Sequence, residues 1–273
     1  MREATALSKI VNQSGFPLQL AIDRMISEQA KEIGWSVLYR EHGWKAPNGE
    51  SGFADLVLEN IYRSSVFVVE CKRVLDSDWI FLEETGGGGE ILQTRAWVNN
   101  TPDHGKAYHG YFDLAARPAS PVSMYCVVAG QDTKSRPLLE RVAADITSAT
   151  EAIAIEEHPH MVARKYGFRT YSAAIVTTAR LLVTSVDSSK ISLKTGEAHD
   201  LQHREVPWIR FRKQLSAEFS IQPRDLDWSF SDLATAREKS AFVINASHLS
   251  EFLRSWDIAD RSLRPLMNSE LVV

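Results

Sequence analysis

The sequence predicts an α/β protein in which a mixed β-sheet is flanked by helices. Residues 17–33 have the spacing of an amphipathic helix, and three β-favouring segments, 35–41, 52–59 and 66–74, follow it between turn-prone residues. Helical patterns then alternate with apolar strands toward the C-terminal end. This alternation is typical of a sheet that is covered by helices.

The helix at residues 17–33 has clear limits. Pro17 suits the first turn of a helix, where its missing N–H is not needed. Leu18, Ile22 and Met25 recur at helical spacing on one stripe, and Gly34 ends the pattern. The other predicted elements are helices at residues 90–98, 138–158 and 247–256, and strands at residues 122–129, 171–178, 181–186 and 206–211.

The length of 273 residues suits one large domain, or one domain with an appendage. We assign residues 1–180 to a core with the order helix, three strands, helix, strand. Residues 181–273 form a β-rich and helical C-terminal extension that packs on this core. We expect the extension to serve target recognition, dimerisation or simple coverage of the sheet.

The composition excludes several classes of protein. A hydrophobic fraction of 44% and a charged fraction of 24% exclude disorder, collagen and a coiled-coil rod. No apolar run approaches the roughly 20 residues that span a bilayer, and no signal peptide is visible, so we expect a cytoplasmic protein without a membrane partner. Two cysteines exclude a four-cysteine zinc module. The net charge of −4 leaves room for a local basic groove.

Three charged residues interrupt the apolar strands. Glu70 and Lys72 are two positions apart on the best predicted strand, so both side chains leave the same face. If the two strands pair, Asp55 of the preceding strand approaches Glu70. Two close carboxylates repel each other unless a cation lies between them, and oxygen ligands of this kind suit Mg²⁺. Such a site, with Lys72 beside it, is suited to hydrolysing a phosphodiester bond.

Asp55 followed by Glu70-Cys71-Lys72 resembles the Asp…Glu-x-Lys motif of the PD-(D/E)XK nuclease superfamily. The resemblance covers residues 15–130 and implies a restriction-endonuclease-like αβββαβ core. It implies that Asp55 and Glu70 ligate Mg²⁺, for which Mn²⁺ substitutes, that the Cys71 carbonyl adds a ligand, and that Lys72 assists catalysis. Ala54 stands where the family pattern has proline.

The family resemblance implies two further site residues. Members often take another acid from the first helix, and we prefer Glu32 to Glu28 because Glu32 lies beside the apolar stripe. Many members place a glutamine in the helix after the lysine strand, a position that Gln93 occupies with Arg95 nearby.

A second basic segment includes Trp208, Arg210 and Arg212, which would share one face of a strand. An aromatic ring between guanidinium groups can lie on a phosphate backbone or stack on a base. A solvated edge strand explains the same pattern equally well.

Together these features predict a Mg²⁺-dependent endonuclease that acts on DNA in bacterial restriction, antiviral defence or DNA processing. RNA is the alternative substrate, and a homodimer is a family expectation. The alternative function is a nuclease-like module that binds nucleic acid or protein without cleavage. The simplest alternative is an edge strand in which Glu70 and Lys72 are merely solvated and Asp55 caps a turn.

Overall fold

The computed structural model describes residues 2–75, 77–86, 89–101, 107–130, 137–215 and 234–267. Both helices and strands are present, and they form a mixed α/β fold. The helices are α1 Arg2–Gln13, α2 Phe16–Ile33, α3 Leu138–Arg164, α4 Leu249–Ser255 and α5 Asp260–Met267. The strands are β1 Trp35–Lys45, β2 Ser51–Asn60, β3 Ser65–Lys72, β4 Asp78–Glu84, β5 Ile91–Thr101, β6 Tyr108–Ser120, β7 Val122–Ser123, β8 Tyr125–Val128, β9 Gly167–Thr177, β10 Arg180–Val186, β11 Gln202–Glu205, β12 Trp208–Gln214, β13 Glu238–Asn245 and β14 Asp257–Ile258.

The larger sheet has the order β1-β2-β3-β9-β13-β12-β7. Strands β1, β2 and β3 form an antiparallel meander, and β9 then lies parallel to β3. The other edge of β9 is shared, because β5 pairs with its first half and β13 with its second half. A smaller sheet has the order β11-β10-β4-β8. The region predicted as a C-terminal extension therefore contributes strands to both sheets.

Helices cover the larger sheet on both faces because the side chains of its strands alternate. Val66 and Val68 of β3 pack in the same core cluster as Ile146 and Ile153 of α3. The opposite face forms a second cluster, in which Phe67 and Val69 of β3 pack with α2 and α4. The meander is thus held between α3 and the α2–α4 pair.

Helix α2 has the predicted limits within one residue. Pro17 lies in its first turn, and Gly34 follows it in the left-handed conformation at φ 73°. The Gly34 N–H donates to the Ala30 carbonyl, which satisfies one of the last carbonyls of the helix. The local signals therefore place α2 correctly.

Two predictions in the middle of the chain are wrong. The predicted helix at residues 90–98 is strand β5, and the predicted strand at residues 122–129 is divided into β7 and β8. Strand β5 pairs with both β6 and β9, and its residues 96–101 are buried on both faces. These long-range contacts override the apolar spacing that suggested a helix.

Within the described ranges, no helix is both long and apolar enough to cross a membrane.

Candidate active site

Asp55 and Glu70 lie on neighbouring antiparallel strands. The pairing of Leu56 with Val69 places them opposite each other at the next position along β2 and β3. The backbone N–H of Cys71 donates to Asp55 Oδ2 at 2.7 Å, which fixes this carboxylate against β3. Lys72 Nζ lies 2.5 Å from Glu70 Oε1. The structure therefore brings these three side chains together at one end of the meander.

Electrostatic repulsion is built into this cluster. The pKa of Asp55 is raised from its ordinary 3.8 to about 6, chiefly by burial, with further contributions from the nearby carboxylates of Glu70 and Glu41. The Cys71 N–H and the Lys72 ammonium act in the opposite direction. Because the net shift is upward, the donors present stabilise the negative charge incompletely. A cation at this position would relieve the repulsion.

The cluster is reachable from solvent. The Lys72 side chain keeps 35% of its surface exposed, the Glu70 side chain keeps 20%, and Glu41 lies on the exposed rim. Asp55 is only half-buried. A phosphate group could therefore contact Lys72 without a change in the fold.

Gln19 of α2 is a site residue that the sequence reasoning missed. Its side chain is buried, and Nε2 donates to Glu41 Oε1 at 2.5 Å and to the Asp55 carbonyl at 3.1 Å. Gln19 therefore ties α2 to β1 and β2 beside the carboxylates. The sequence signal that could have identified Gln19 is its position on the stripe of Ile22 and Ile26, where an apolar residue is expected.

Glu41 holds an uncommon backbone conformation at φ 47°. Its carboxylate reaches the site from β1 through Gln19, and it contributes to the raised pKa of Asp55. In the structure Glu41 is both exposed and bonded to the cluster.

Cys71 contributes its backbone rather than its thiol. The thiol is buried, and burial raises its pKa far above the ordinary range, so it stays protonated. Its backbone carbonyl lies near the beginning of α2, where a Cβ on Gly15 would come within 3.8 Å of it. The carbonyl oxygen is thus the group of Cys71 that is chemically suited to a hard cation.

The structure does not bring the predicted helix acids to the cluster. Glu32 lies 2.5 Å from Arg254 of α4, and Glu28 lies 2.7 Å from Arg24, both on exposed surface. Glu32 is thirteen residues beyond Gln19 on α2, which corresponds to about 20 Å along the helix. Helix α2 therefore presents the Gln19 amide to the site, and its acids Glu28 and Glu32 lie elsewhere.

Gln93 and Arg95 belong to β5 and not to a helix. Gln93 is exposed and pairs with Ala115 of β6. The Arg95 guanidinium lies 2.9 Å from Asp113 and donates to the Ala236 carbonyl. The expected glutamine in the helix after β3 is therefore absent, since the next described helix is α3.

The basic strand predicted to face nucleic acid is largely internal. Arg210 is 1% exposed, and its guanidinium is surrounded by backbone carbonyls. Arg212 lies 2.7 Å from Glu238, and Trp208 donates to the Ala119 carbonyl. The prediction of a nucleic-acid contact is wrong for Arg210, because β6 covers the face on which it lies.

No group of three or more His, Cys, Asp or Glu side chains in the described ranges is arranged to hold a metal ion. The carboxylates of Asp55 and Glu70 lie on adjacent strands, and the Glu41 carboxylate is linked to them through Gln19. Comparison of this chain with protein-family models, with curated proteins and with solved structures gives no match.

Proposed function

We propose that this chain is a Mg²⁺-dependent nuclease that hydrolyses phosphodiester bonds of DNA. The observation that carries the proposal is the convergence of Asp55, Glu70 and Lys72 on adjacent strands at a solvent-accessible end of the sheet. The succession α2, β1, β2, β3 and then, after the intervening strands β4–β8, α3 and β9, with β9 parallel to β3, supports a restriction-endonuclease-like core. In this order, α3 is the second helix of the core, the position that was predicted for residues 90–98.

The residues present fit Mg²⁺. Asp55, Glu70 and the Cys71 carbonyl are hard oxygen donors, and Mg²⁺ commonly keeps several waters and takes only a few protein ligands. The raised pKa of Asp55 supports a cation between the carboxylates, since its charge would favour their ionised forms. When bound there, Mg²⁺ would lower the pKa of a water molecule and offset negative charge on the phosphate.

The side chains around the proposed metal position have different roles in the reaction. The Cys71 N–H occupies Asp55 Oδ2 and leaves Oδ1 for another partner. Glu70 holds the Lys72 ammonium on its side of the sheet. From there Lys72 donates hydrogen bonds to a phosphate oxygen, or to the attacking water, and stabilises the charge that develops in the transition state. Gln19 fixes the backbone that carries Asp55.

Replacement of the lysine tests the proposal. We expect Lys72→Ala to reduce cleavage of plasmid DNA in Mg²⁺ at least about 100-fold, the scale of a lost catalytic group. Its circular dichroism spectrum should match the wild type, because the Lys72 side chain is not buried. Lys31→Ala, on the exposed face of α2, is the matched control. Full activity in Lys72→Ala, or in excess EDTA, would refute the mechanism.

One observation favours a second candidate function, a nuclease-like module that binds nucleic acid or protein without cleavage. Helix α2 supplies no third carboxylate to the cluster, since Glu28 and Glu32 pair with arginines elsewhere. Calorimetric titration with Mn²⁺ separates the two candidates. The nuclease requires Mn²⁺ binding that Asp55→Asn removes. The binding module predicts no difference between the two proteins.

A further inference from the structure

A cavity opens on the α3-covered face at the other end of the meander. Its volume is about 360 Å³, which is within the range of small-molecule sites. We call it the α3 pocket. It lies between the last turns of α3 and the strands β1, β2 and β9. Its lining includes Tyr39, Glu59, Arg63, Glu157, Arg164 and Arg169.

The floor of the α3 pocket is rigid. Arg169 is 8% exposed, and its Nη1 donates to Glu59 Oε1 at 2.5 Å and to the Arg63 carbonyl at 3.2 Å. Its Nε lies 3.0 Å from Glu157 Oε2, which also accepts a hydrogen bond from the Tyr171 hydroxyl at 2.7 Å. One buried cation thus holds two carboxylates in place.

The floor also presents a free acceptor. Glu157 Oε1 is buried, and no protein group in the described part of the chain donates a hydrogen bond to it. A buried carboxylate oxygen without a donor is costly. A ligand that enters the pocket would therefore be favoured if it carries an N–H or O–H group at its inner end.

The rim presents the opposite charge. Arg164 and His160 are exposed and form no ion pair within the described ranges. Arg63 lies 3.8 Å from Glu59 and donates to the Tyr166 hydroxyl, with 62% of its side chain still exposed. Two guanidinium groups at the mouth suit a phosphate, which arginine binds with paired hydrogen bonds.

The wall between floor and rim is apolar and aromatic. Leu38 and Tyr39 of β1 and Met161 of α3 form it. Such a surface favours a flat ring over a sugar or an aliphatic acid. The ligand indicated by the three parts has a hydrogen-bond donor at one end, a ring in the middle and an anion at the other end.

We infer that the α3 pocket binds a free nucleoside monophosphate, with a base N–H directed to Glu157 and the phosphate held by Arg63 and Arg164. The inference does not depend on the proposed nuclease activity. Glu59 lies four residues from Asp55 along β2, about 13 Å away, and Val57 between them is buried in the core that α3 covers.

Isothermal titration calorimetry with AMP, GMP, CMP and UMP tests this inference. We expect at least one nucleotide to bind at least tenfold more tightly than inorganic phosphate or its own parent nucleoside. Arg164→Ala should weaken that binding at least tenfold, because the phosphate loses a charged donor. Arg141→Ala removes an exposed arginine of the same helix outside the pocket and should leave the affinity unchanged.

Three results would overturn the inference: no nucleotide binding at millimolar concentration, equal affinity for inorganic phosphate, or unchanged affinity in Arg164→Ala. Binding of a 5′-phosphorylated oligonucleotide without any binding of free nucleotides would also overturn it, by indicating a strand-end site. Lys72→Ala should retain nucleotide binding. Nucleotide binding by this variant, measured separately from DNA cleavage, therefore tests the α3 pocket independently of the proposed nuclease.

Discussion

Two groups of charged residues interrupt the apolar strands, and they differ in how their charges are satisfied. At the candidate active site, Asp55 and Glu70 face each other with Lys72 as the nearest cation. In the Arg210 cage, one buried guanidinium lies over the Phe242 ring and donates to surrounding oxygen atoms. These oxygens belong to the backbone of Ile91, Leu92, Ala116 and Pro118 and to the Ser120 hydroxyl.

From this difference we interpret the carboxylate cluster as a candidate binding site and the Arg210 cage as a structural feature. Burial lowers the pKa of Arg210 to about 10, so the cation persists at neutral pH, where surrounding carbonyl oxygens stabilise it. Burial and repulsion from Glu70 instead raise the pKa of Asp55 to about 6. Oxygen atoms of the protein accept hydrogen bonds from both terminal nitrogens of Arg210. The carboxylate cluster gains from an external cation.

The largest expected effect is on catalysis, at Glu70. We expect Glu70→Gln to lower the rate of DNA cleavage in Mg²⁺ about 1000-fold, because it removes a carboxylate and the ion pair of Lys72. Thermal stability should be unchanged or higher, since Asp55 loses a repulsive neighbour. Plasmid cleavage assays and melting curves measure both quantities. Glu50→Gln, at an exposed turn, is the control, and wild-type activity in Glu70→Gln would contradict the site.

The next effect is on folding, at Arg210. We expect Arg210→Leu to reduce the free energy of unfolding by about 3–5 kcal/mol, because the oxygen atoms of the cage lose their donor while staying buried. Urea denaturation measures this change.

The matched control is Arg204→Leu, which removes an exposed arginine 3.5 Å from Glu83 and should cost less than about 1 kcal/mol. Equal stability losses in the two variants would show that the buried hydrogen bonds of Arg210 stabilise the fold no more than an exposed ion pair does.

The same comparison shows what the sequence could predict. The limits of α2 and the convergence of Asp55, Glu70 and Lys72 follow from local rules: helix spacing, strand alternation and the pairing of consecutive strands. The three interacting side chains lie within eighteen residues of one another in the chain. Short-range patterns suffice where the partners are close in sequence.

Long-range contacts decided the features that the sequence could not predict. Residues 91–101 form a strand because β6 and β9 pair with them, and β9 lies more than sixty residues away. Arg210 shares a face with Trp208, as expected, but β6 covers that face from ninety residues upstream. Gln19 reaches Glu41 only because α2 packs across the meander. None of these partners is visible in a local pattern.

A smaller effect concerns the pH dependence of stability. The pKa of Asp55 is about 6 in the folded protein against an ordinary value of 3.8, so the folded state binds this proton more tightly. Its contribution to stability is therefore full below about pH 4 and is lost as the pH rises through 6. Asn does not titrate and keeps an oxygen for the Cys71 N–H.

We therefore expect Asp55→Asn to be more stable than the wild type at pH 7.5, by about 1–2 kcal/mol after allowance for solvent screening, in the absence of divalent ions. The difference should shrink toward pH 4. Urea denaturation at both values of pH measures it. A variant less stable than the wild type at pH 7.5 would show that the carboxylate is stabilised by the groups around it.

The smallest expected effect is stabilisation of the protein by Mg²⁺, which should depend on the carboxylate cluster and not on the Arg210 cage. Mg²⁺ at ten times its dissociation constant should stabilise the wild type by about 1.4 kcal/mol at pH 7.5. The stabilisation should weaken at pH 5, because the ion then competes with the proton on Asp55. Melting temperatures measured against NaCl of equal ionic strength isolate the specific effect. Arg210→Leu should retain the Mg²⁺ shift and Asp55→Asn should lose it. An equal shift at both values of pH, or in Asp55→Asn, would mean that Mg²⁺ acts elsewhere on the protein.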